Sequence, residues 1–461
     1  MIIRLIRVLQ CSIIHRNKLL MADYKRPKTN EEFHENFAQK KPLMNKTEAF
    51  YESSRCLFCY DAPCVTACPT EIDIPLFIRQ IHTGNVEGAA KTIFDQNWFG
   101  NACGKICPTG VLCEGACVYN HQGVKPIEIG RLQNYATDKV IKNGKQLYKP
   151  GPDNGRKVAI IGAGPSGISC ACELRTMGYT VDIFEAKEKP SGLTIYGTAP
   201  YKITNQEVLD EIDYLQDQLK FNIHYNKPIT KKDQLKELEE KYDAIFLGVG
   251  IGPTARLNIP GIDKKGVVGA VEFIEELRMI QHKVHVPDRV IVIGGGNTAM
   301  DAASETSRMG AKDVILAYRR SRDEMGGYDF EYEMARSSGA RGMFNVQPIE
   351  ITGNGEATGV KFIRTENRNG KLEYIEGSQF VIECDLVIKA TGQAKLGGLF
   401  EMIDGLEVDE MTRIVVDEET FQTKNPKYFA GGDAVNGGAE VVDGAHDGKA
   451  AARGIEQWLN A

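Results

Sequence analysis

The chain has no long hydrophobic run and no large excess of charge of one sign. It contains no stretch of about 18 uncharged apolar residues, so the sequence predicts no helix that spans a bilayer. Its 56 Lys and Arg residues against 62 Asp and Glu residues give a net charge of -6, which creates no general field for nucleic acid or an anionic membrane. We therefore expect neither as a partner, and we expect a cytoplasmic protein.

The composition also excludes several structural classes. Hydrophobic residues make up 42% of the chain and charged residues 26%, which are ordinary values for a globular protein. Wholesale disorder, collagen and coiled coil are excluded by these values. At about 150 residues per domain, the 461 residues indicate about three folded units.

Cysteine is scarce outside one segment. Eight of the twelve cysteines lie between Cys56 and Cys117, and the others are scattered at Cys11, Cys170, Cys172 and Cys384. A disulfide framework is typical of small secreted domains, and this distribution does not resemble one. The concentration of thiols in one segment favours metal binding.

The first 22 residues are basic and contain no acidic residue. This composition fits an organelle transit peptide. The alternative, which we favour, is an upstream start codon, with Met21 opening the functional protein. We expect residues 1–44 to form a poorly ordered N-terminal extension.

The segment 157–187 predicts a strand, a glycine turn, a helix and a second strand that ends in an acidic residue. Gly162, Gly164 and Gly167 form G-x-G-x-x-G, in which the glycines allow a tight turn, close approach of a pyrophosphate and close helix packing. Glu185 stands where a ribose-binding carboxylate is expected. These features together predict a dinucleotide-binding fold.

The segment 289–325 repeats this pattern, with Gly294, Gly296 and Ala299 in the three positions. Its second strand is followed by arginines and not by an acidic residue, namely Arg319, Arg320 and Arg322. Guanidinium groups pair with the 2′-phosphate of NADPH, whereas a carboxylate would select NADH. We therefore expect NADPH, with NADH as the weaker alternative. The competing interpretation is that the arginines stack on adenine or form surface ion pairs.

The cysteines of the dense segment are spaced for iron–sulphur ligation. The first run is Cys56-x2-Cys59-x4-Cys64-x3-Cys68-Pro, and the second has Cys103-x3-Cys107-Pro followed by Cys113 and Cys117. Four thiolates hold each cluster, and ferredoxin-type runs end in Cys-Pro. Two structural zinc sites are the alternative, but these would use C-x2-C pairs twice, and only Cys56 and Cys59 form one. Spacing alone makes Cys103 the eighth ligand.

The end of the chain resembles flavoprotein reductases with two dinucleotide domains. Their strand-G-D motif is matched by 428–433, and their A-T-G return strand by 390–392. The resemblance implies an α/β fold, in which an N-terminal α-helical iron–sulphur domain (45–142) precedes two Rossmann-like domains. The NAD(P)-binding domain (254–389) would be inserted into the FAD-binding domain (155–253 and 390–461). No C-x-x-C pair occurs between residues 155 and 461, which disfavours a disulfide reductase of this fold.

The cysteine segment, continuing to GRLQN at 130–134, resembles the NAD(P)H/FAD/iron–sulphur module of the dihydropyrimidine dehydrogenase family. It is similar, more distantly, to the small subunit of glutamate synthases, which has a shorter spacing after its second Cys-Pro. The resemblance implies one [4Fe–4S] cluster on Cys56, Cys59, Cys64 and Cys117. It implies a second on Cys68, Cys107 and Cys113 with Gln133 as the fourth ligand, so that Cys103 would be a spare thiol.

The same resemblance implies the residues that contact each dinucleotide. Those expected at FAD are Gly162, Gly164, Pro165, Ser166, Gly167, Glu185, Gly192, Leu193, Lys202, Gly432 and Asp433. Those expected at NAD(P)H are Gly294, Gly296, Asn297, Thr298, Ala299, Arg319, Arg320, Arg322, Thr391 and Gly392. The sequence departs from the family at Lys202, which replaces an arginine and would contact a phosphate as a point charge.

These resemblances imply an electron-input subunit that oxidises NAD(P)H with FAD and passes electrons through two clusters to an FMN-containing partner subunit. A (β/α)8 barrel takes about 250 residues, which this chain lacks, so the pyrimidine-reducing site would lie on the partner. The alternatives are the small subunit of glutamate synthase, an input subunit for another acceptor such as ferredoxin or sulphide, and a zinc-stabilised scaffold without redox activity. Hydride transfer needs no acid or base, so no catalytic side chain is expected.

Overall fold

The computed structural model describes residues 23–461, and the question of a transit peptide or an upstream start falls on residues 1–22, outside the described residues. The described chain divides into two compact units. One unit combines residues 23–38 with Gly252–Ala394, and the other combines Gln39–Ile251 with Lys395–Ala461.

The elements of the described residues are numbered in chain order. The helices are α1 (Asn30–Asn36), α2 (Lys46–Ser54), α3 (Pro63–Thr66), α4 (Ile74–His82), α5 (Val86–Gln96), α6 (Gly100–Ile106), α7 (Ile129–Lys142), α8 (Pro165–Thr176), α9 (Leu193–Tyr196), α10 (Asn205–Leu219), α11 (Lys232–Lys241), α12 (Ala270–Ile280), α13 (Asn297–Arg308), α14 (Asp329–Ser337), α15 (Gly397–Phe400), α16 (Asp433–Asn436) and α17 (Val441–Leu459). The strands are β1 (Lys157–Ile161), β2 (Thr180–Phe184), β3 (Asn222–His224), β4 (Ala244–Leu247), β5 (Val267–Gly269), β6 (Arg289–Ile293), β7 (Asp313–Ala317), β8 (Arg341–Met343), β9 (Val346–Thr352), β10 (Gly359–Arg368), β11 (Lys371–Tyr374), β12 (Phe380–Glu383), β13 (Leu386–Lys389) and β14 (Tyr428–Ala430).

The helices α2 to α7 form the N-terminal part of the larger unit, and side-chain caps fix where several of them begin. Asn45 caps α2 in a capping box with Glu48, and Asp73 accepts the Leu76 amide at the start of α4. Such caps satisfy amides that have no partner within the helix. The short helices and the connections between them carry the cysteines, and the fold brings together thiols from distant parts of the sequence.

The part of the same unit that contains the first glycine turn is built on a parallel sheet in the order β14-β4-β1-β2-β3. The strands β1, β4 and β14 are almost completely buried, as expected for a sheet covered on both faces. Helix α17 packs against α8 so closely that a Cβ at Gly448 would lie 1.9 Å from the Ser166 carbonyl oxygen. The predicted fold class, with a helical domain before Rossmann-like sheets, is confirmed.

The smaller unit contains a second parallel sheet in the order β5-β13-β6-β7-β8, and the antiparallel strands β9 to β12 lie between β8 and β13 in the chain. Strands β9, β11 and β12 each pair with β10. The antiparallel sheet was not anticipated, because a strand with one exposed face carries a weaker hydrophobic signal than the buried strands of a parallel sheet.

Residues 23–38 pack on the rest of the smaller unit, Gly252–Ala394. Phe33 and Phe37 are buried and stack with their ring centroids 4.3 Å apart. The Arg26 guanidinium donates to the Val286 carbonyl over 2.6 Å, and the Asn36 amide donates to the Arg308 carbonyl over 2.7 Å. The packed segment differs from the poorly ordered extension that we expected. Phe33 in helix α1 and Phe37 directly after it supply enough buried apolar surface to hold the segment.

Among residues 23–461, none of the helices combines the length and the apolar character needed to span a membrane.

Candidate functional site

Four of the predicted cluster ligands line one pocket. This pocket has a volume of about 390 Å³ and is lined by Cys56, Cys59, Cys64 and Cys117. Cys64 lies in the short helix α3, and the other three lie on the connections that follow α2 and α6. The rest of the lining is largely apolar. Burial, followed by repulsion from Cys56, Cys117 and Cys59, raises the pKa of Cys64 to about 12. The four thiols are therefore close enough to affect one another's ionisation, and a bound metal ion would offset the repulsion between their thiolates.

The remaining predicted ligands line a second pocket of about 360 Å³. Cys68, Cys107, Cys113 and Gln133 all face it, and Cys103 does so as well. The structure therefore brings together both candidates for the eighth ligand. Gln133 donates its amide N–H to the Gly100 carbonyl over 2.7 Å, which holds the side chain at the pocket. Its amide oxygen is the atom that would bind iron.

Cys103 contacts a predicted ligand directly. It is 2% exposed, and a hydrogen bond between its side chain and that of Cys107, followed by burial, raises the pKa of Cys107. Burial also raises the pKa of Cys113, with smaller contributions from Glu114, Cys107 and Cys68. Within residues 23–461, no group of three or more His, Cys, Asp and Glu side chains forms a ready-made site for a metal ion.

The two pockets adjoin each other. Ile74 lines both, and the neighbouring residues Ile129 and Gly130 at the start of α7 line one pocket each. Val442, at the start of α17, borders the second pocket. The second pocket is therefore the one that adjoins the part of the unit that contains the first glycine turn.

The first glycine turn has the shape required for a pyrophosphate. Gly162 has a φ of +102°, and a Cβ there would lie 2.4 Å from the Gly248 carbonyl oxygen. A Cβ at Gly167 would lie 2.0 Å from the Gly162 oxygen. At Gly164, which caps α8, the nearest such atom would be 3.8 Å away. The two outer glycines are needed for packing, and the middle one keeps a cradle open for a ligand.

Glu185 lies at the same turn, as predicted. Its carboxylate accepts the Ala163 and Lys187 amides, each over 2.8 Å. Gly192 touches the turn, because a Cβ there would lie 3.1 Å from the Gly164 Cα atom. Pro165 and Ser166 open helix α8, and Leu193 opens α9. Lys202 is half-buried between α9 and α10.

The G-D motif lies against the first glycine turn, and it is hydrogen-bonded to Asp447, a residue that sequence reasoning did not identify. A Cβ at Gly432 would lie 2.9 Å from the Ser166 hydroxyl, and the Gly432 amide donates to Asp447 over 2.8 Å. Burial raises the pKa of Asp433, with Asp447 among the neighbouring charges. Asp447 lies within helix α17 and not in a turn. Its position among small residues on a buried helix face was the available signal.

The second glycine turn keeps the same arrangement. A Cβ at Gly294 would lie 2.3 Å from the Ala390 oxygen, whereas a Cβ at Gly296 would meet nothing within 4 Å. Ala299 is fully buried in α13, and Thr298 lies in its first turn. Asn297 accepts the Tyr328 amide over 2.9 Å, so the segment before α14 forms one wall of this turn. That wall was not predicted.

The three arginines differ in their surroundings. Arg322 pairs with Glu333 over 3.2 Å and with Asp329 over 3.4 Å, and it lies over the Tyr332 ring. Arg319 is exposed, and Arg320 is half-buried and adds to the hydrogen bonds from Ser321 and Asn367 that lower the pKa of Glu324. Arg322 therefore follows the surface ion-pair interpretation. Thr391 and Gly392 are exposed directly after β13.

Comparison with known families agrees with this geometry. The family described as pyridine nucleotide-disulphide oxidoreductase matches residues 156–461. The chain belongs to this family. The family described as dihydropyrimidine dehydrogenase domain II, 4Fe-4S cluster, matches residues 33–145. The chain is therefore an oxidoreductase whose families imply FAD, a nicotinamide dinucleotide and iron–sulphur.

Two curated relatives from Escherichia coli strain K12 match almost their whole length. The glutamate synthase [NADPH] small chain is 34% identical over 434 residues, which cover 89% of this chain and 92% of that protein. The NAD-dependent dihydropyrimidine dehydrogenase subunit PreT is 34% identical over 420 residues, which cover 91% and 96% respectively. Their names mark both as parts of larger enzymes, and overall identity does not choose between them.

Solved structures share the fold of the dinucleotide-binding part. FprA of Mycobacterium tuberculosis in complex with NADPH has a TM-score of 0.56 at 20% identity, covering 67% of this chain and 85% of that one. Thioredoxin reductase of T. acidophilum has a TM-score of 0.53 at 22% identity, covering 66% and 100%. At these identities the likeness concerns the fold alone.

Proposed function

We propose that this chain is the electron-input subunit of a dihydropyrimidine dehydrogenase, receiving electrons from NADPH and delivering them to an FMN-containing partner subunit. When bound, FAD accepts two electrons together and iron–sulphur clusters carry them one at a time. The chain's own residues bind these groups, keep them apart from one another and shield them from water.

The pair of adjoining pockets carries this proposal. Each presents four of the ligands proposed for a [4Fe–4S] cluster, and the second borders the helix that follows the flavin G-D motif. A chain that only bound nicotinamide would not need two such thiol sites in sequence. The 4Fe–4S family match also opposes the zinc-scaffold alternative.

We assign the first cluster to Cys56, Cys59, Cys64 and Cys117, and the second to Cys68, Cys107, Cys113 and Gln133. A neutral amide in place of a thiolate removes a negative charge from the second cluster, which raises its potential. Cys103 remains a thiol that contacts the ligand Cys107.

We assign the dinucleotides to the two glycine turns. The open cradle at Gly164, with Glu185 beside it, suits FAD, because a carboxylate accepts hydrogen bonds from ribose hydroxyls. The open cradle at Gly296 suits the nicotinamide dinucleotide, and Arg319 and Arg320 favour its 2′-phosphate form.

The second candidate function is the small subunit of a glutamate synthase, favoured by a relative of equal identity. The spacing Cys107-x5-Cys113 favours the dehydrogenase. Co-expression of the chain with candidate partners decides between them. We expect NADPH-dependent pyrimidine reduction only with the FMN-containing partner. Pyrimidine reduction by the chain alone, or glutamate formation with an amidotransferase subunit, would contradict the proposal.

A further inference from the structure

Lys41 lies against the second pocket and was not identified by sequence reasoning. Its ammonium group donates to the Cys107 carbonyl over 3.1 Å and to the Thr109 hydroxyl over 3.2 Å. Cys107 and Thr109 both line that pocket. Because two of its three donors are used, the flexible side chain is held in one place.

The Lys41 charge lies close to the proposed ligands. Its ammonium group is 3.1 Å from the carbonyl oxygen of Cys107, and Cys113 lines the same pocket. Lys41 therefore offsets negative charge at a half-buried position, where an interaction between charges is screened less than at the surface.

We infer that Lys41 is a positioning residue that raises the reduction potential of the cluster in the second pocket. Reduction adds one negative charge to a cluster, and a fixed cation beside its ligands stabilises that added charge. The two hydrogen bonds hold the cation at the Cys107-Pro108-Thr109 turn. This inference rests on the proposed function, because it requires a cluster in the second pocket.

The test is a redox titration, monitored by electron paramagnetic resonance, of the full chain with its clusters. We expect Lys41→Gln to lower the potential of one cluster, so that at a fixed solution potential its reduced-to-oxidised ratio falls about tenfold, or about 59 mV for a one-electron carrier. The other cluster keeps its potential. Lys41→Arg retains the charge and is expected to restore the wild-type value. Lys46→Gln, at an exposed position on α2, is the matched control and shifts neither cluster.

The possible outcomes distinguish a failure of the proposed function from a failure of the role of Lys41. A wild-type chain without two clusters overturns the proposed function itself. Two intact clusters with unchanged potentials in Lys41→Gln overturn the role of Lys41 alone, and so does an equal shift in Lys41→Arg. If the Lys41→Gln variant loses the cluster of the second pocket, the titration is repeated with the Thr109→Val variant. This second variant removes one of the two acceptors of the Lys41 ammonium group and keeps the lysine charge. In Thr109→Val, a smaller decrease in the reduction potential of this cluster supports the inference, and an unchanged potential overturns it.

Discussion

Single residues decide how the second pocket would hold its cluster. Cys103 and Gln133 both line it, and only one of them is needed beside Cys68, Cys107 and Cys113. The hydrogen bond from Gln133 to Gly100 orients its amide, and the Cys107 amide donates to the Cys103 carbonyl over 3.1 Å. The family resemblance implies Gln133 as the ligand, and we adopt that assignment as a proposal.

Removal of each side chain tests that choice. We expect Gln133→Ala to lose or alter one cluster, so that iron falls from about eight atoms per chain toward about four. Cys103→Ala keeps both clusters, because its thiol is not a ligand in this assignment. Iron and sulphide analysis with electron paramagnetic resonance spectra measures both variants. Loss of a cluster in Cys103→Ala, with Gln133→Ala unaffected, would reverse the assignment.

Coenzyme selection is also decided at the residue scale. Arg319→Ala and Arg320→Ala should each weaken NADPH binding about tenfold or more, because a hydrogen bond to a charged group contributes about 1.5–3 kcal/mol. NADH binding should change little. Arg322→Ala is the matched control, since Arg322 already pairs with Glu333 and Asp329. Fluorescence titration measures both dissociation constants, and equal losses for NADH and NADPH would argue against a phosphate contact.

At the scale of elements, helix α17 connects the G-D motif to the first glycine turn. Asp447 on this helix accepts the Gly432 amide, and Gly448 lies against Ser166 at the start of α8. Asp447→Ala leaves a buried amide without its acceptor, which costs about 1–3 kcal/mol. We expect a lower melting temperature and a lower FAD content. Asp404→Asn, which removes an exposed ion pair with Lys232, should leave both unchanged. Full FAD retention in Asp447→Ala would contradict a role in shaping this site.

Helices α6 and α10 meet at a buried carboxylate. Glu211 on α10 accepts the Asn101 amide over 2.6 Å and the Ala102 amide over 3.0 Å at the start of α6. Burial outweighs these hydrogen bonds and raises the pKa of Glu211 from 4.5 to about 8. Between these values the folded chain holds a proton that the unfolded chain releases, so the stability contributed by Glu211 falls as the pH rises.

Thermal unfolding at a series of pH values tests this linkage. From about pH 4.5 to about pH 8, the melting temperature of the wild type should fall relative to that of Glu211→Gln, which cannot ionise. Glu237→Gln, at an exposed position on α11, should follow the wild type. Parallel profiles for the wild type and Glu211→Gln would show that Glu211 is ionised throughout this range.

Parts of the molecule differ in how well the sequence predicted them. The glycine turns and the cysteine runs were predictable, because a tight turn and a four-thiolate site each restrict residue type and spacing. The Asp447 and Lys41 contacts were not, because each joins residues far apart in the chain without a spacing rule. The antiparallel strands β9–β12 were missed because a strand with one exposed face carries a weaker hydrophobic signal. The packing of residues 23–38 was missed because it joins residues far apart in the chain.

At the scale of the whole molecule, the chain combines a dinucleotide-binding oxidoreductase with a 4Fe–4S domain. Its smaller unit presents the second glycine turn, and its larger unit presents the first turn and both thiol pockets. The proposed function requires all of these groups in one polypeptide. The partner subunit would then supply only the final acceptor.

The most direct test of this account is NADPH reduction of the anaerobically purified full chain, followed by absorption and electron paramagnetic resonance. We predict about eight iron atoms, about eight sulphides and one FAD per chain, with NADPH bleaching the flavin and producing the signal of a reduced [4Fe–4S] cluster. Zinc in place of iron, or flavin reduction without any cluster signal, would contradict it.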